Sequence, residues 1–116
     1  MKYAIVDIET TGGTRKSRGI TEVAVVVSDG QNVLDTWSSL VNPFEPIPAR
    51  ISALTGITDD MVEDAPGFDD VAEHLMGLLQ DCVFVAHNVG FDFAFLRGHF
   101  EAMDLSLIQS PSPRDS

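Results

Sequence analysis

Tyr3-Ala4-Ile5-Val6-Asp7-Ile8-Glu9-Thr10-Thr11-Gly12 is the stretch on which the reading of this chain turns. Its apolar run predicts a buried β-strand over about residues 2–9. Two carboxylates in such a strand are costly unless their charge is offset. Side chains alternate along a strand, so Asp7 and Glu9 share a face with Cα atoms roughly 6.6 Å apart. They can converge on one hard cation. Carboxylates and water suit Mg²⁺ or Mn²⁺, whereas zinc prefers nitrogen and sulfur. An edge strand whose acids simply face water is the plain alternative, and this strand alone does not choose between the two.

A second stretch adds to the first. Cys82-Val83-Phe84-Val85-Ala86 reads as a short buried strand. It runs into His87-Asn88-Val89-Gly90-Phe91-Asp92-Phe93-Ala94-Phe95-Leu96. Gly90 permits a tight turn, and an amphipathic helix is expected to begin near it. Asp92 then falls in the first turn, at the positive end of the helix dipole. That position suits a ligand and suits a plain N-terminal charge equally. Phe91, Phe95 and Leu96 have the spacing of core residues.

Between these stretches the pattern alternates strands and helices. Ile20 to Ser28 is valine-rich and predicts a strand, Asp29-Gly30 a turn, and Val33 to Val41 a third strand, together a hairpin. Asn42 to Pro48 carries three prolines and reads as a loop. Short helices are expected near 49–55 and 59–63. Phe68 to Gln80 has helical spacing, with Val71, Leu75, Leu78 and Leu79 on one side. Residues 1–105 are expected to form one α/β domain. Residues 106–116, with two prolines in Ser110-Pro111-Ser112-Pro113, are expected to be a disordered tail.

With 116 residues, the chain can bury roughly two-thirds of its extended surface. No apolar run is long enough to span a bilayer, and no signal peptide is evident. Cys82 is the single cysteine, so no intrachain disulfide can form. These features fit a cytoplasmic protein with no membrane contact. The net charge of −11 argues against broad, non-specific nucleic-acid binding but allows a site that grips one or two terminal nucleotides. Arg15, Lys16 and Arg18 form the one basic cluster; it suits phosphate contacts or plain solvated loop charge.

Asp7-Ile8-Glu9-Thr10-Thr11-Gly12 resembles the first motif of the four-carboxylate (Asp-Glu-Asp-Asp) 3′→5′ exonucleases, and His87-Asn88-x-x-Phe91-Asp92-x-x-Phe95-Leu96 resembles the second. Leu54-Thr55-Gly56-Ile57-Thr58-Asp59-Asp60-Met61-Val62, Ala65-Pro66 and Phe68 are similar to the segment between them. The wording is nearest to the histidine-base branch, in particular to proofreading epsilon-type domains of bacterial DNA polymerase III. The resemblance covers about residues 3 to 100, in order.

The resemblance implies a ribonuclease-H-like mixed sheet with flanking helices. It also implies hydrolysis of the 3′-terminal phosphodiester of single-stranded DNA or RNA with two Mg²⁺ or Mn²⁺ ions. By analogy Asp7, Glu9 and Asp92 are the metal-binding catalytic residues. Thr10, Thr11, Gly12, Leu54, His87, Asn88 and Phe91 are the substrate-binding ones. A DNA polymerase subunit is the implied partner in replication, and a homodimer is a further arrangement.

The family's third motif supplies a histidine base and a fourth carboxylate. No stretch before Ser116 stands where it belongs, so the expectation is a C-terminally truncated domain lacking the last strand and helix of the fold. His99 and Asp104 have the required spacing but follow Asp92 too closely. In one continuous helix Asp104 would sit about 18 Å along the axis from Asp92, at roughly 1.5 Å per residue. Three readings stay open: an incomplete exonuclease domain, an inactive metal- or nucleotide-binding or interaction module, and an enzyme completed by another chain.

Overall fold

The computed structural model describes residues 1–12 and 19–86, Leu96, and the backbone of Arg114–Asp115. The strands are β1 (Lys2–Thr10), β2 (Ile20–Ser28), β3 (Val33–Leu40), β4 (Cys82–Ala86) and β5 (Arg114–Asp115). The helices are α1 (Ala49–Thr55), α2 (Asp59–Val62) and α3 (Phe68–Leu79). One sheet forms with strand order β3-β2-β1-β4-β5. β1 pairs antiparallel with β2, and β2 with β3, while β1–β4 and β4–β5 are parallel. The sheet is mixed, as the family resemblance implies.

The hairpin joining β2 and β3 follows from its turn residues. The Asp29 carboxylate accepts the backbone N–H groups of Gln31 at 2.9 Å and Asn32 at 2.7 Å. Gly30 takes a φ of +99°, which a side chain disfavours.

Helix α3 covers one face of the sheet. Its buried residues Phe68, Val71, Ala72, Leu75, Met76 and Leu79 recur at three- and four-residue intervals. They pack with Ala4, Val6 and Ile8 of β1, Val23, Val25 and Val27 of β2, and Leu96. Each fully buried leucine contributes about 1.5–3 kcal/mol. At the start of α3 the Asp70 carboxylate accepts the Gly67 N–H at 3.1 Å, and Asp69 and Asp70 lie in the first turn, where the helix dipole favours negative charge. On the same side His74 tilts against Trp37 of β3, ring centroids 5.0 Å apart. A smaller cluster of Ile47, Ile51, Ile57 and Val62 holds α1, α2 and the preceding loop together. Gly56 ends α1 in the left-handed conformation at φ +79°.

One expectation needs correction. The β1 run reads as buried throughout, yet burial alternates along it: Ala4, Val6 and Ile8 are in the core, while Ile5 is 42% exposed and Asp7 is exposed. The apolar Ile5 hides this in the sequence. Among the described residues α3 and Leu96 cover only the Ala4–Val6–Ile8 face.

Arg114–Asp115 pairs with Val85 and Ala86 of β4. An unpaired β4 edge offers donors and acceptors, and two extended residues suffice to meet some of them. The rest of residues 106–116 lies outside the described residues.

Candidate active site

Asp7 and Glu9 project from the side of β1 opposite the core, as period-two alternation requires. Among the described residues the pairing of β1 with β4 runs to Ile5↔Val85, while β1 continues to Thr10. Both acids therefore stand beyond the described β1–β4 pairing, toward the C-terminal end of the parallel strands, the end where open sheets of this kind receive ligands.

Across the antiparallel pair Asp7 faces Ala24 and Glu9 faces Glu22. The register then slips, since Thr10 faces Ile20. Thr21 is thus the extra residue of a β-bulge beside Glu9. Bulges of this sort often re-aim side chains next to active sites.

Beyond the bulge the chain turns tightly. The Thr10 hydroxyl donates to the Gly12 carbonyl at 3.0 Å, and the Gly12 N–H reaches back to Thr10 Oγ1 at 3.3 Å. Thr11 is buried; its hydroxyl donates to Glu45 Oε2, and its N–H donates to the Gly19 carbonyl at 2.9 Å. The Thr11 hydroxyl therefore serves the protein's own architecture in this structure. Leu54 stands 82% exposed on α1, an apolar side chain open to a ligand.

His87, Asn88, Phe91 and Asp92 lie outside the described residues, as do Arg15, Lys16, Arg18, His99 and Asp104. Among the described residues no group of three or more His, Cys, Asp and Glu side chains could hold one metal ion. Asp7 and Glu9 are two ligands of a larger set at most. In kind they fit a hard divalent cation: two carboxylates on one face, one of them open to solvent. Glu45 and Glu22 are the site residues that sequence reasoning missed. Glu45 sits in a proline-rich loop and looks like solvated charge; only the fold brings it to Thr11. The alternation of β2 was the available signal for Glu22.

A mixed sheet with a carboxylate pair at the end of its central strand defines the ribonuclease-H-like exonuclease class. Escherichia coli exonuclease I shares this fold, with a TM-score of 0.84 over 98% of this chain and 27% of that one at 18% identity. Exonuclease X, solved in complex with 5′-overhanging duplex DNA, superposes with a TM-score of 0.68 at 39% identity, over 81% of this chain and 53% of that one. The 3′-5′ exonuclease DinG of Staphylococcus aureus strain MRSA252 is 38% identical over 99 residues, and that of Staphylococcus epidermidis is 38% identical over 103. These stretches span 85% and 89% of this chain but only 11% of either relative. The family profile described as Exonuclease (RNase_T) matches residues 4–111, and the chain belongs to that family.

Proposed function

We propose that this chain is the N-terminal part of a metal-dependent 3′→5′ exonuclease site that removes nucleotides from a DNA 3′ end. The observation that carries the reading is the placement of Asp7 and Glu9 on one face of β1, beyond Ile5, the last residue paired with β4 among the described residues. Asp7 and Glu9 would hold Mg²⁺ or Mn²⁺, with Asp92 as the third carboxylate on the motif resemblance. Bound there, a two-ion set supplies an activated water at neutral pH and stabilises charge on the attacking and leaving oxygens.

The chain's own residues do the rest. The bulge at Thr21 and the Thr10–Gly12 turn hold Glu9 in orientation beside Asp7. Exposed Leu54 offers an apolar surface for the terminal base. His87, Asn88 and Phe91 complete the substrate side on the same resemblance. DNA is favoured over RNA because exonuclease X, at 39% identity, is seen on duplex DNA with a 5′ overhang. Proofreading beside a DNA polymerase rests on the epsilon-like wording of the motifs alone. A second copy of the chain as partner rests on the exposed Ile5 on the face of β1 opposite the core.

The test is degradation of a 5′-labelled single strand, and of a duplex with a recessed 3′ end, with Mg²⁺ or Mn²⁺, beside Asp7→Ala. Metal-dependent laddering from the 3′ end that disappears in Asp7→Ala is the expected result. Binding of metal and mononucleotide without laddering would replace the reading with that of a binding module.

A further inference from the structure

Glu45 lies 34 positions along the chain from Thr11, yet its Oε2 accepts the Thr11 hydroxyl. The same oxygen accepts the Gly19 N–H at 3.3 Å. One carboxylate oxygen therefore ties the residue after β1 to the residue before β2. The Thr11 N–H to Gly19 carbonyl bond at 2.9 Å closes the same junction. Packing there is close: a Cβ on Gly19 would come within 2.5 Å of Pro43 Cβ, 3.0 Å of Glu45 Oε2 and 3.2 Å of Thr11 Cγ2. Gly19 and Glu45 thus form one fitted joint, and the segment 12–18 starts and ends at it.

We propose that Glu45 is a positioning residue for the Asp7–Glu9 cation site, acting through Thr11 and Gly19 to fix where β1 ends. The inference rests on the metal-site reading above. Thr11 is two residues past Glu9, and the β1–β2 register slips between Glu9 and Thr10. Among the described residues the Glu45 bond is the contact of the Thr11 side chain that ties this strand end to Gly19, and it adds to the bulge and the Thr10–Gly12 turn beside Glu9. Both groups that Glu45 receives are donors, so the joint needs an acceptor oxygen and no negative charge. Glu45→Gln therefore keeps the joint, whereas a metal-ligand or proton-transfer role for Glu45 would be lost in that variant.

The experiment is NMR on the full chain for wild type, Glu45→Gln, Glu45→Ala and Gly19→Ala, with a Mg²⁺ titration followed at the Asp7 and Glu9 amides. Loss of the bond should speed Gly19 amide exchange about tenfold in Glu45→Ala. Mg²⁺ affinity should fall by about 10-fold or more in Glu45→Ala and in Gly19→Ala, as when a partner of a metal ligand is removed, and Glu45→Gln should restore both readouts. Preserved amide dispersion in Glu45→Ala and Gly19→Ala shows that loss of the fold is not the cause. Faster exchange at Gly19 with unchanged Mg²⁺ affinity would overturn the proposal and leave Glu45 as a loop brace. Loss of Mg²⁺ affinity in Glu45→Gln as well would overturn it in favour of a direct charge role. Absence of any Mg²⁺ response at Asp7 and Glu9 in the wild type would instead sink the metal-site reading, and the proposal with it.

Discussion

Glu22 stands directly across from Glu9 in the antiparallel β1–β2 pair, on the face that also carries Asp7. Directly opposed like charges destabilise a sheet by about 0.2–1 kcal/mol. A cation bound by Asp7 and Glu9 would turn that repulsion into attraction. Glu22→Gln should therefore raise the melting temperature in chelator and reduce the further rise that Mg²⁺ produces. Thermal unfolding of both proteins with and without Mg²⁺ measures the two effects. A Glu22→Gln protein that gains nothing in chelator would show that the pair is already balanced within the chain.

The bulge residue makes a separate prediction. Thr21 is 1% exposed, and its Oγ1 has no hydrogen-bond partner among the described residues. Its backbone is satisfied in part, since its carbonyl accepts the Val41 N–H at 2.8 Å. An unmade bond at a buried hydroxyl costs about 1–3 kcal/mol. Thr21→Val, of nearly the same shape, should move the urea midpoint upward with an unchanged slope. A downward shift would mean that the hydroxyl is used by a residue outside the described ones.

Much of the fold was legible because local pattern and tertiary need agree. The valine alternation of β2 and the apolar spacing of α3 each match the face they bury. The Asp29-Gly30 turn is read from two residues. The Asp7–Glu9 pair was legible for the same reason, since period two puts both on one side whatever they face. The Thr11–Glu45 tie was not legible. A threonine after a motif and a glutamate among prolines carry no local signal, and their contact exists only once β1, β2 and the following loop have assembled. The open face at Ile5 was hidden for the opposite reason: an isoleucine looks buried in any local window, and only the layer arrangement shows otherwise.

Asp29 gives the fold a pH dependence of known sign. Backbone N–H donation from Asn32 and then Gln31 holds its carboxyl below the ordinary value of 3.8. A carboxylate with a lowered folded value stabilises the turn above the unfolded value, and that contribution disappears as pH falls through the folded one. The Gln31 and Asn32 amide resonances should therefore shift with a midpoint below 3.8. Asp29→Ala should abolish the shift and speed exchange across the β2–β3 turn. A midpoint at or above the ordinary value would contradict the hydrogen-bonded geometry.

Cys82 reports on β4, the strand that leads toward the second motif. It is 1% exposed, and its Sγ donates to the Leu78 carbonyl at 3.4 Å. Burial pushes its thiol above the ordinary value of 9.0, outweighing the nearby Lys2 charge, which acts in the opposite direction. The thiolate is the reacting species, so both shielding and the raised value suppress attack on an aromatic disulfide reagent. At pH 8 labelling in native buffer should be slower than in denaturant by on the order of 10³-fold or more, if β4 opens only with the whole domain at a cost of about 5 kcal/mol. Labelling slowed by only about tenfold would instead place β4 in a locally opening unit. In that case Leu75→Ala, which removes core packing from α3, should leave the labelling rate nearly unchanged. If opening is global, the same substitution should accelerate labelling by the full factor of its destabilisation, about 2–5 kcal/mol for a buried leucine.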